Sequence, residues 1–334
     1  MKKYFLMAVC IIIMSISASA VSVNKVLLDH NGQVTTFDDI QSAINASADG
    51  DVIYLTLGTF KVSTLNITKE ITIRGTGDTS IINGEVKISI AGTPTLESPL
   101  LEALAVSGGV TISSAMNNLC LKNSKITGTL AINGAVNGGS IEKCKVVDMT
   151  FGDTIDNLYI DRSSVTGTLT LSSSIKGMTV INSKLNAVSA NSGATSNTTF
   201  VNCVFNQLYT NNFAATIVNS IIYLSKHSIS STVSSSINSS VLLNTLLRSG
   251  YVYVGTSSVT QGCYYDTNSG FSKSKLQEKG YLGTDGTVVG IYGGSTPYSD
   301  AKMFTPSTPK VTSSKLNLDA EKKELNVNLT VSPE

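Results

Sequence analysis

The central part of the sequence repeats with a period of about twenty residues. Residues 118–132 align with residues 157–171 at a shift of 39 positions, with Thr-Gly-Thr-Leu in register. A small residue also recurs at about half of that spacing. The members of this column are Ser124, Cys144, Ser163, Ser183, Cys203 and Ser220. Because the repeating unit consists of short runs rich in Val, Ile and Thr, the period indicates a solenoid built from strands.

Two apolar columns flank the small residues. The column three positions earlier contains Leu121, Ile141, Ile160, Val180, Phe200 and Ile217. The column two positions later contains Ile126, Val146, Val165, Leu185, Phe205 and Ile222. This alternation is strand periodicity. Helical repeats are longer than about thirty residues, and the template of a leucine-rich repeat is absent, so the pattern predicts a parallel β-helix with coils about 4.8 Å apart.

A polar residue precedes each small one. The members of this column are Asn123, Lys143, Arg162, Asn182, Asn202 and Asn219. Asn182, Asn202 and Asn219 could form an amide ladder in which each side chain bonds to the next. Alternatively, asparagine simply tolerates the dihedral angles of a turn. Both interpretations make this column structural.

The first twenty residues have the pattern of a secretory signal. Lys2 and Lys3 precede an apolar run and then a small-residue motif that ends at Ala20, which predicts cleavage nearby and export. The apolar run is too short for a membrane span, and no later segment is apolar enough for one. Without the two lysines the chain has 22 basic and 23 acidic residues, from totals of 24 and 23. This balance argues against nucleic acid as a partner.

The cysteines predict neither a disulfide nor a metal site. Cys144 and Cys203 hold equivalent positions three coils apart, which corresponds to about 14 Å at the spacing of sheet strands. A disulfide cannot span that distance. No zinc-binding spacing is present, so we expect buried free thiols and no cofactor or metal.

Residues 35–60 contain the most specific motif. An amphipathic segment, Thr35-Thr-Phe-Asp-Asp-Ile-Gln-Ser-Ala-Ile44, is followed by Gly50-Asp-Val-Ile-Tyr-Leu-Thr-Leu-Gly-Thr-Phe60. This arrangement resembles the opening of the pectate-lyase-like right-handed parallel β-helix superfamily. The resemblance implies right-handed winding and a short helix that covers the open first coil. It implies nothing about chemistry, because fold does not determine function.

The complete prediction is an all-β chain. Residues 1–20 form the signal peptide, residues 21–300 the β-helix with its N-terminal cap helix, and residues 301–334 a linker and a terminal β-hairpin. Ala91–Val110 departs from the repeat and is expected to be a protruding loop. The tail from Gly283 onward is similar to tails on secreted β-helix proteins of Gram-negative bacteria, which agrees with a secreted, periplasmic or cell-surface location.

Two acidic residues are the candidates for catalysis. Glu142 and Asp161 follow Lys122 in one row on successive coils, so their carboxylates should lie about 5 Å apart, as in a retaining glycoside hydrolase. The alternative is a row of opposite charges that pair across strands, since Lys122 and Arg162 stand beside these acids. No catalytic pattern of the superfamily is found, and neither His30 nor His227 belongs to a recognisable motif.

Tyrosines are concentrated near the end of the repeats. Tyr251, Tyr253, Tyr264 and Tyr265, followed by Tyr281 and Tyr292, could form a platform that stacks against sugar rings. The alternative, which the need to cover the last coil favours, is that they fill a C-terminal cap. The sequence does not indicate an oligomeric state.

These features favour an exported, non-enzymatic protein that binds carbohydrate, with polysaccharide as its partner, or that presents an adhesive surface. The alternative is a polysaccharide lyase or glycoside hydrolase acting on a plant or host glycan. An enzyme should have carboxylates that converge in a cleft near Ala91–Val110. A binding or structural protein should have paired charges on a flat wall.

Overall fold

The computed structural model describes residues 24–172, 174–190, 197–208, 214–225, 237 and 240–304, together with the backbone of two strands at 310–319 and 324–332. It is a parallel β-solenoid of about 10 turns with 6% helix. The predicted all-β parallel β-helix is therefore confirmed. The signal segment at residues 1–20 and His227 lie outside the described residues.

Two long sheets form the walls of the solenoid, and each coil contributes to both. The first sheet contains 13 strands, which in sheet order are Gln33–Phe37, Val26–His30, Val52–Leu55, Thr72–Arg74, Leu101–Glu102, Met116–Lys122, Val136–Glu142, Ile155–Asp161, Met178–Ile181, Thr198–Val201, Ala215–Val218, Val241–Leu243 and Val259–Gln261. The second contains 12 strands, which in chain order are Gly58–Ile67, Ser80–Ile88, Ala105–Val106, Val110–Ile112, Lys125–Ile132, Lys145–Phe151, Ser164–Leu171, Lys184–Ala190, Val204–Leu208, Ile221–Ile222, Leu246–Arg248 and Tyr264–Asp266.

The register of the strands stacks like residues on like. In the first sheet Leu121 pairs with Ile141, and Ile141 pairs in turn with Ile160. In the second sheet Ile126 pairs with Val146, which pairs in turn with Val165. The side chains of both columns are buried, so the repeat of the sequence becomes one continuous apolar core along the axis.

A residue with positive φ connects the two sheets in successive coils. The φ angles are 50° at Asn123, 50° at Lys143, 46° at Arg162, 46° at Asn182, 53° at Asn202, 51° at Asn219 and 45° at Asn244. We call these seven residues the turn column. Asparagine enters the left-handed region more readily than most residues, which explains why it dominates the column.

The small residues after the turn column form a polar ladder inside the core. The backbone N–H of Cys144 donates to Ser163 Oγ at 3.1 Å, and that of Ser163 donates to Ser183 Oγ at 3.1 Å. Farther along, Cys203 N–H donates to Ser220 Oγ at 3.0 Å. A serine at this position therefore satisfies a buried N–H of the preceding coil, which a larger apolar residue could not do.

The predicted amide ladder is wrong. Three asparagine side chains of the turn column bond instead to a distant segment: Asn182 Nδ2 donates to the Thr296 carbonyl at 2.6 Å, and Asn219 Oδ1 accepts from Thr284 N–H at 2.9 Å. Asn244 Nδ2 donates to the Leu282 carbonyl at 3.4 Å. These three asparagines therefore anchor residues 282–304, which we call the return strap.

The return strap runs back along the solenoid, against the direction in which the coils are stacked. It starts beside Asn244, crosses Asn219 where Gly290 N–H donates to the Asn219 carbonyl at 2.6 Å, and ends with Phe304 next to Gly77 in an early coil. A second apolar core fixes its first half. The members of that core are Val204, Ile221, Leu246, Phe271, Leu276, Val288 and Val289.

In the described part of the chain, three helical segments interrupt the strands: Ile40–Ala46, Lys273–Glu278 and the 3-10 turn Asp300–Lys302. In the first, Asp39 Oδ1 accepts from Ser42 N–H at 2.8 Å as the N-cap, and Ile40 and Ile44 are buried. That this helix acts as the end cap of the solenoid stays a prediction.

The predicted loop is shorter in the structure than expected, whereas the predicted C-terminal hairpin is present. The loop expected at Ala91–Val110 already ends near Leu100, because Leu101–Glu102 and Ala105–Val106 pair with neighbouring coils. The terminal appendage is confirmed, with Lys310–Asp319 antiparallel to Glu324–Ser332.

Gly290→Ala should loosen the return strap. Gly290 has φ of 79°, and a Cβ there would lie 2.7 Å from Ile221 Cδ1. Gly286 is a matched control, because its φ is 74° but nothing lies within 4 Å of its Cβ position. We expect Gly286→Ala to cost about 1–2 kcal/mol from the backbone alone. Gly290→Ala should cost about 1–3 kcal/mol more from overpacking.

Urea unfolding and limited proteolysis of the strap measure this difference. Equal stability and equal protease sensitivity of the two variants would contradict the contact between the strap and Ile221.

Candidate functional site

The structure brings the predicted acidic pair together around one arginine. Glu142 and Asp161 are register partners on neighbouring coils. Arg162 Nη2 lies 2.6 Å from Glu142 Oε1 and 2.7 Å from Asp161 Oδ2. Lys122 and Lys143 approach Glu142 more loosely, at 3.7 Å and 3.8 Å. Both carboxylates are thus held by the same guanidinium, which is the geometry of paired charges and not of a free acid and base.

The return strap forms a cleft beside this pair. Its volume is about 330 Å3, and its lining residues are Lys143, Arg162, Ser295, Thr296, Pro297, Tyr298, Ser299 and Lys302. Tyr298 is buried, its hydroxyl donates to Asp300 Oδ1 at 2.6 Å, and burial raises the pKa of this hydroxyl well above its usual range. Tyr298 is therefore a fixed neutral wall of the cleft.

The four candidate tyrosines divide into covered and exposed ones. Tyr264 is half-buried: its hydroxyl donates to the Leu282 carbonyl at 2.8 Å, and its ring lies 4.9 Å from that of Tyr281. Tyr251, Tyr253 and Tyr265 are 45%, 38% and 60% exposed. The Arg248 guanidinium lies 3.7 Å from the centre of the Tyr251 ring. Tyr264 thus belongs to the packing of the strap, whereas the other three leave ring surface for a ligand.

A second, smaller cleft lies near the loop in which an enzyme was expected to have its site. Its volume is about 220 Å3, and its lining residues are Gly50, Glu70, Ile71, Thr72, Thr95, Leu96, Glu97 and Ser98. Glu70 and Glu97 thus share this cleft. Its size is below the range of about 300–1,000 Å3 that is usual for small-molecule sites.

Nucleophilic chemistry has little support in the described residues. His30 Nδ1 bonds to the buried Asp51 Oδ1 at 2.8 Å, while its other ring nitrogen faces Asn31 Nδ2 at 3.3 Å. This pair therefore lacks a bonded hydroxyl or thiol in the described part of the chain. The cysteines there are unpaired, and burial raises the pKa of Cys144 and of Cys203 to about 12. Such thiols stay protonated at neutral pH.

The described residues contain neither a metal-binding cluster nor a helix that could span a membrane. Among those residues, no group of three or more His, Cys, Asp or Glu side chains is arranged to hold a metal ion. None of the helices described is both long and apolar enough to cross a bilayer.

Comparisons with known proteins do not assign the chain to a family. No family model, no curated protein and no solved structure matches it. The parallel β-solenoid is therefore established by the structure, while membership of the pectate-lyase-like superfamily is not.

Sequence reasoning missed the cleft under the strap, although two signals were present. The outward column after the small residues contains Lys125, Lys145 and Lys184 and then changes to Val204, Ile221 and Leu246. The change to apolar residues marks where the strap covers the wall. The second signal is the replacement of asparagine by Lys143 and Arg162 in the turn column.

Asp266 should make the segment that leads into the strap sensitive to acid, because its partners Lys279 and Tyr281 lie just before residue 282. The Lys279 ammonium donates to Asp266, as do Asn268 N–H and the Tyr281 hydroxyl, and these bonds hold the pKa of Asp266 well below its usual range. A carboxyl group with a lowered pKa stabilises the fold at pH values above the pKa that it has in the unfolded chain, about 4. This contribution is lost as the pH falls through the pKa of the folded state.

We therefore expect Asp266→Asn to lower the thermal unfolding midpoint at pH 7, and the difference from the wild type to shrink as the pH falls below about 4. Thermal unfolding followed between neutral and acidic pH tests this sign. A difference that grows towards low pH would be inconsistent with the ion pair as described.

Proposed function

We propose that the chain is an exported, non-catalytic β-helix protein that binds carbohydrate at the cell surface or in the periplasm. The observation that carries this proposal is the exposure of Tyr251, Tyr253 and Tyr265 near the last coil. Amphipathic aromatic rings offer an apolar face and a polar edge, which suits the faces and hydroxyls of sugar rings. We refer to these three residues as the tyrosine end.

Export and family membership belong to the same proposal. The basic and apolar pattern of residues 1–20 supports export. The opening motif at residues 35–60 supports membership of the pectate-lyase-like superfamily. A non-catalytic role is favoured because Arg162 engages both Glu142 and Asp161.

Binding to a panel of plant and host glycans tests the function. We expect the chain lacking residues 1–20 to bind at least one glycan. Tyr251→Ala and Tyr265→Ala should each weaken that binding about three- to tenfold, because an aromatic contact contributes about 0.5–1.5 kcal/mol beyond its buried area. Tyr159→Ala is the matched control, since Tyr159 is 50% exposed on the outer wall of the first sheet, away from the last coil.

Loss of binding in the Tyr159→Ala control to the same extent would argue against a site at the tyrosine end. Binding that survives both Tyr251→Ala and Tyr265→Ala would remove the observation on which the proposal rests.

A lyase or hydrolase is the second candidate, favoured by the cleft that Glu70 and Glu97 share. The same glycan samples are assayed for new reducing ends and for the absorbance of unsaturated products. The binding function predicts no turnover. Turnover that is abolished by Glu70→Gln or Glu97→Gln would establish an enzyme at this cleft, and turnover abolished by Glu142→Gln or Asp161→Asn would establish one at the acidic pair.

A further inference from the structure

The apolar core of the solenoid has an open end at the last coil. The inward column of the second sheet, from Ile126 to Leu247, is at most 1% exposed in every coil. Tyr265 continues this column as the register partner of Leu247, yet it is 60% exposed. In the first sheet Thr260 continues the column of the buried Leu242 and is also exposed. In the described part of the chain, neither sheet has a strand beyond these two residues.

The first sheet begins with a strand that runs in the same direction as the strand that ends it. Gln33–Phe37 is antiparallel to Val26–His30, which is itself antiparallel to Val52–Leu55. From there to Val259–Gln261 every pairing is parallel. The opening hairpin therefore restores the strand direction, and the two free edges of this sheet can pair in parallel, as the inner coils do.

At the last coil, Thr260 offers its backbone to a further strand. Val259 N–H donates to the Ser240 carbonyl at 2.9 Å, and the Gln261 carbonyl accepts from Asn244 N–H at 2.9 Å, so both residues face the preceding coil. Backbone groups alternate in direction along a strand. The N–H and C=O of Thr260 therefore point towards the open end.

The first strand has its free groups at the matching spacing. His30 pairs with Gln33 across a two-residue hairpin loop. The alternation that starts from this pair leaves the N–H and C=O of Val34 and of Thr36 pointing away from the sheet.

One register joins the two edges. With Thr260 opposite Thr35, Thr260 N–H can donate to the Val34 carbonyl, and its carbonyl can accept from Thr36 N–H, which is the parallel pattern. The same register keeps the side chains on the correct face, because Thr35 and Thr260 are each the register partner of a buried leucine. Strand direction, backbone groups and side-chain faces thus agree.

A helix lies at the same height as the opening hairpin, beside the second sheet. Gln41 Oε1 accepts from Asn66 N–H at 2.9 Å, and Gln41 Nε2 donates to the Asn66 carbonyl at 3.1 Å, so Ile40–Ala46 lies against the edge of that sheet. The diameter of a helix, about 10 Å, matches the two strand spacings that the hairpin adds to the first sheet. Ser42 and Ala46, four residues apart on one face, are exposed and short. They leave room for a ring such as that of Tyr265.

The two ends have opposite charge, and neither free edge carries a charge itself. Residues 24–51 contain five aspartates and one lysine, whereas residues 240–281 contain four basic and two acidic residues. Unlike ends therefore attract and like ends repel. Gln33–Phe37 and Val259–Gln261 lack the charges and prolines that usually prevent strand edges from pairing.

The C-terminal hairpin of the same chain starts far from the open end. The strap ends with Phe304 beside Gly77, nine strand spacings or about 43 Å from the last coil. The six residues from there to Lys310 span at most about 21 Å. A second copy of the chain is therefore the occupant that fits the open end.

We propose that copies of this chain stack head to tail, with the last coil of one copy seated on Gln33–Phe37 and Ile40–Ala46 of the next. Such a heterologous contact does not close on itself, so it builds a continuous β-solenoid from many copies. This assembly goes beyond the carbohydrate function, because the tyrosine end stays exposed on the last copy of every stack.

Sedimentation velocity of the chain lacking residues 1–20 tests the stacking. We expect monomers at about 1 μM and a series of multiples of the monomer mass as the concentration approaches about 1 mM. Monomers alone throughout this range would overturn the proposal.

Charges at either end of the core should block the contact. Thr260→Lys and Thr35→Lys each place an inward-pointing charge on a free edge, which opposes pairing. We expect each to raise the apparent dissociation constant at least tenfold without lowering the thermal unfolding midpoint, since both residues are exposed. Gln261→Lys is the matched control on the same strand, because its side chain faces the outer wall, and it should associate like the wild type. Equal effects of Thr260→Lys and Gln261→Lys would contradict the register.

A mixture of the two blocked variants identifies the polarity of the stack. Thr260→Lys keeps its first strand intact and Thr35→Lys keeps its last coil intact, so the mixture should form dimers and nothing longer. Dimers of either variant alone would show that like ends pair and would contradict head-to-tail stacking. Glycan binding by a chain that stays monomeric removes only the stacking, whereas stacking without glycan binding removes only the carbohydrate function.

Discussion

One left-handed residue per coil is the constraint on which the rest of this structure depends. This residue turns the chain from the first sheet into the second within a few residues. Each coil can therefore place one strand in each wall. The residue that follows it must be small, because it points into the core, where a serine hydroxyl accepts an N–H of the preceding coil. The regular apolar columns then stack because the coils have nearly equal length.

The turn column also determines where the rest of the chain goes. Its asparagine side chains and carbonyls bond to the return strap, which brings the chain from the last coil back to Gly77. The strap thereby covers Ile221 and forms the cleft beside Arg162. The tyrosine end and this cleft lie at different heights of the solenoid.

Periodic features were predictable from the sequence, and contacts with the strap were not. Apolar residues recur in every coil at the positions of Leu121 and Ile126. The local pattern alone therefore predicts that they lie in the core. An amide ladder is one of the two alternatives that the repeat suggests for Asn182, because the repeat points to partners one coil away, yet its partner Thr296 is 114 residues distant. The row of Glu142 and Asp161 was predicted together with the neutralising role of Arg162, since all three recur within one repeat.

The tyrosines show the same limit. Composition indicates Tyr264 and Tyr265 alike as candidates. The strap covers Tyr264 and leaves Tyr265 exposed. Nothing in a two-residue pattern indicates which ring a distant segment will cover. The change from Lys184 to Val204 in the outward column was the available signal. This change reports on what covers the solenoid from outside, whereas the periodic pattern reports on what lies within it.

The distance from the last coil to the end of the strap tests the account most directly. In the chain lacking residues 1–20, Cys120, Cys144, Cys203 and Cys263 are replaced by serine, and spin labels are attached to cysteines introduced at Val259 and Lys302, both of which are exposed. If the strap follows the turn column back to Arg162, pulsed electron paramagnetic resonance should give a distance of at least five strand spacings, about 24 Å. A distance of only one or two spacings, about 10 Å, would mean that the chain stays at the last coil, and it would contradict both the strap and the cleft.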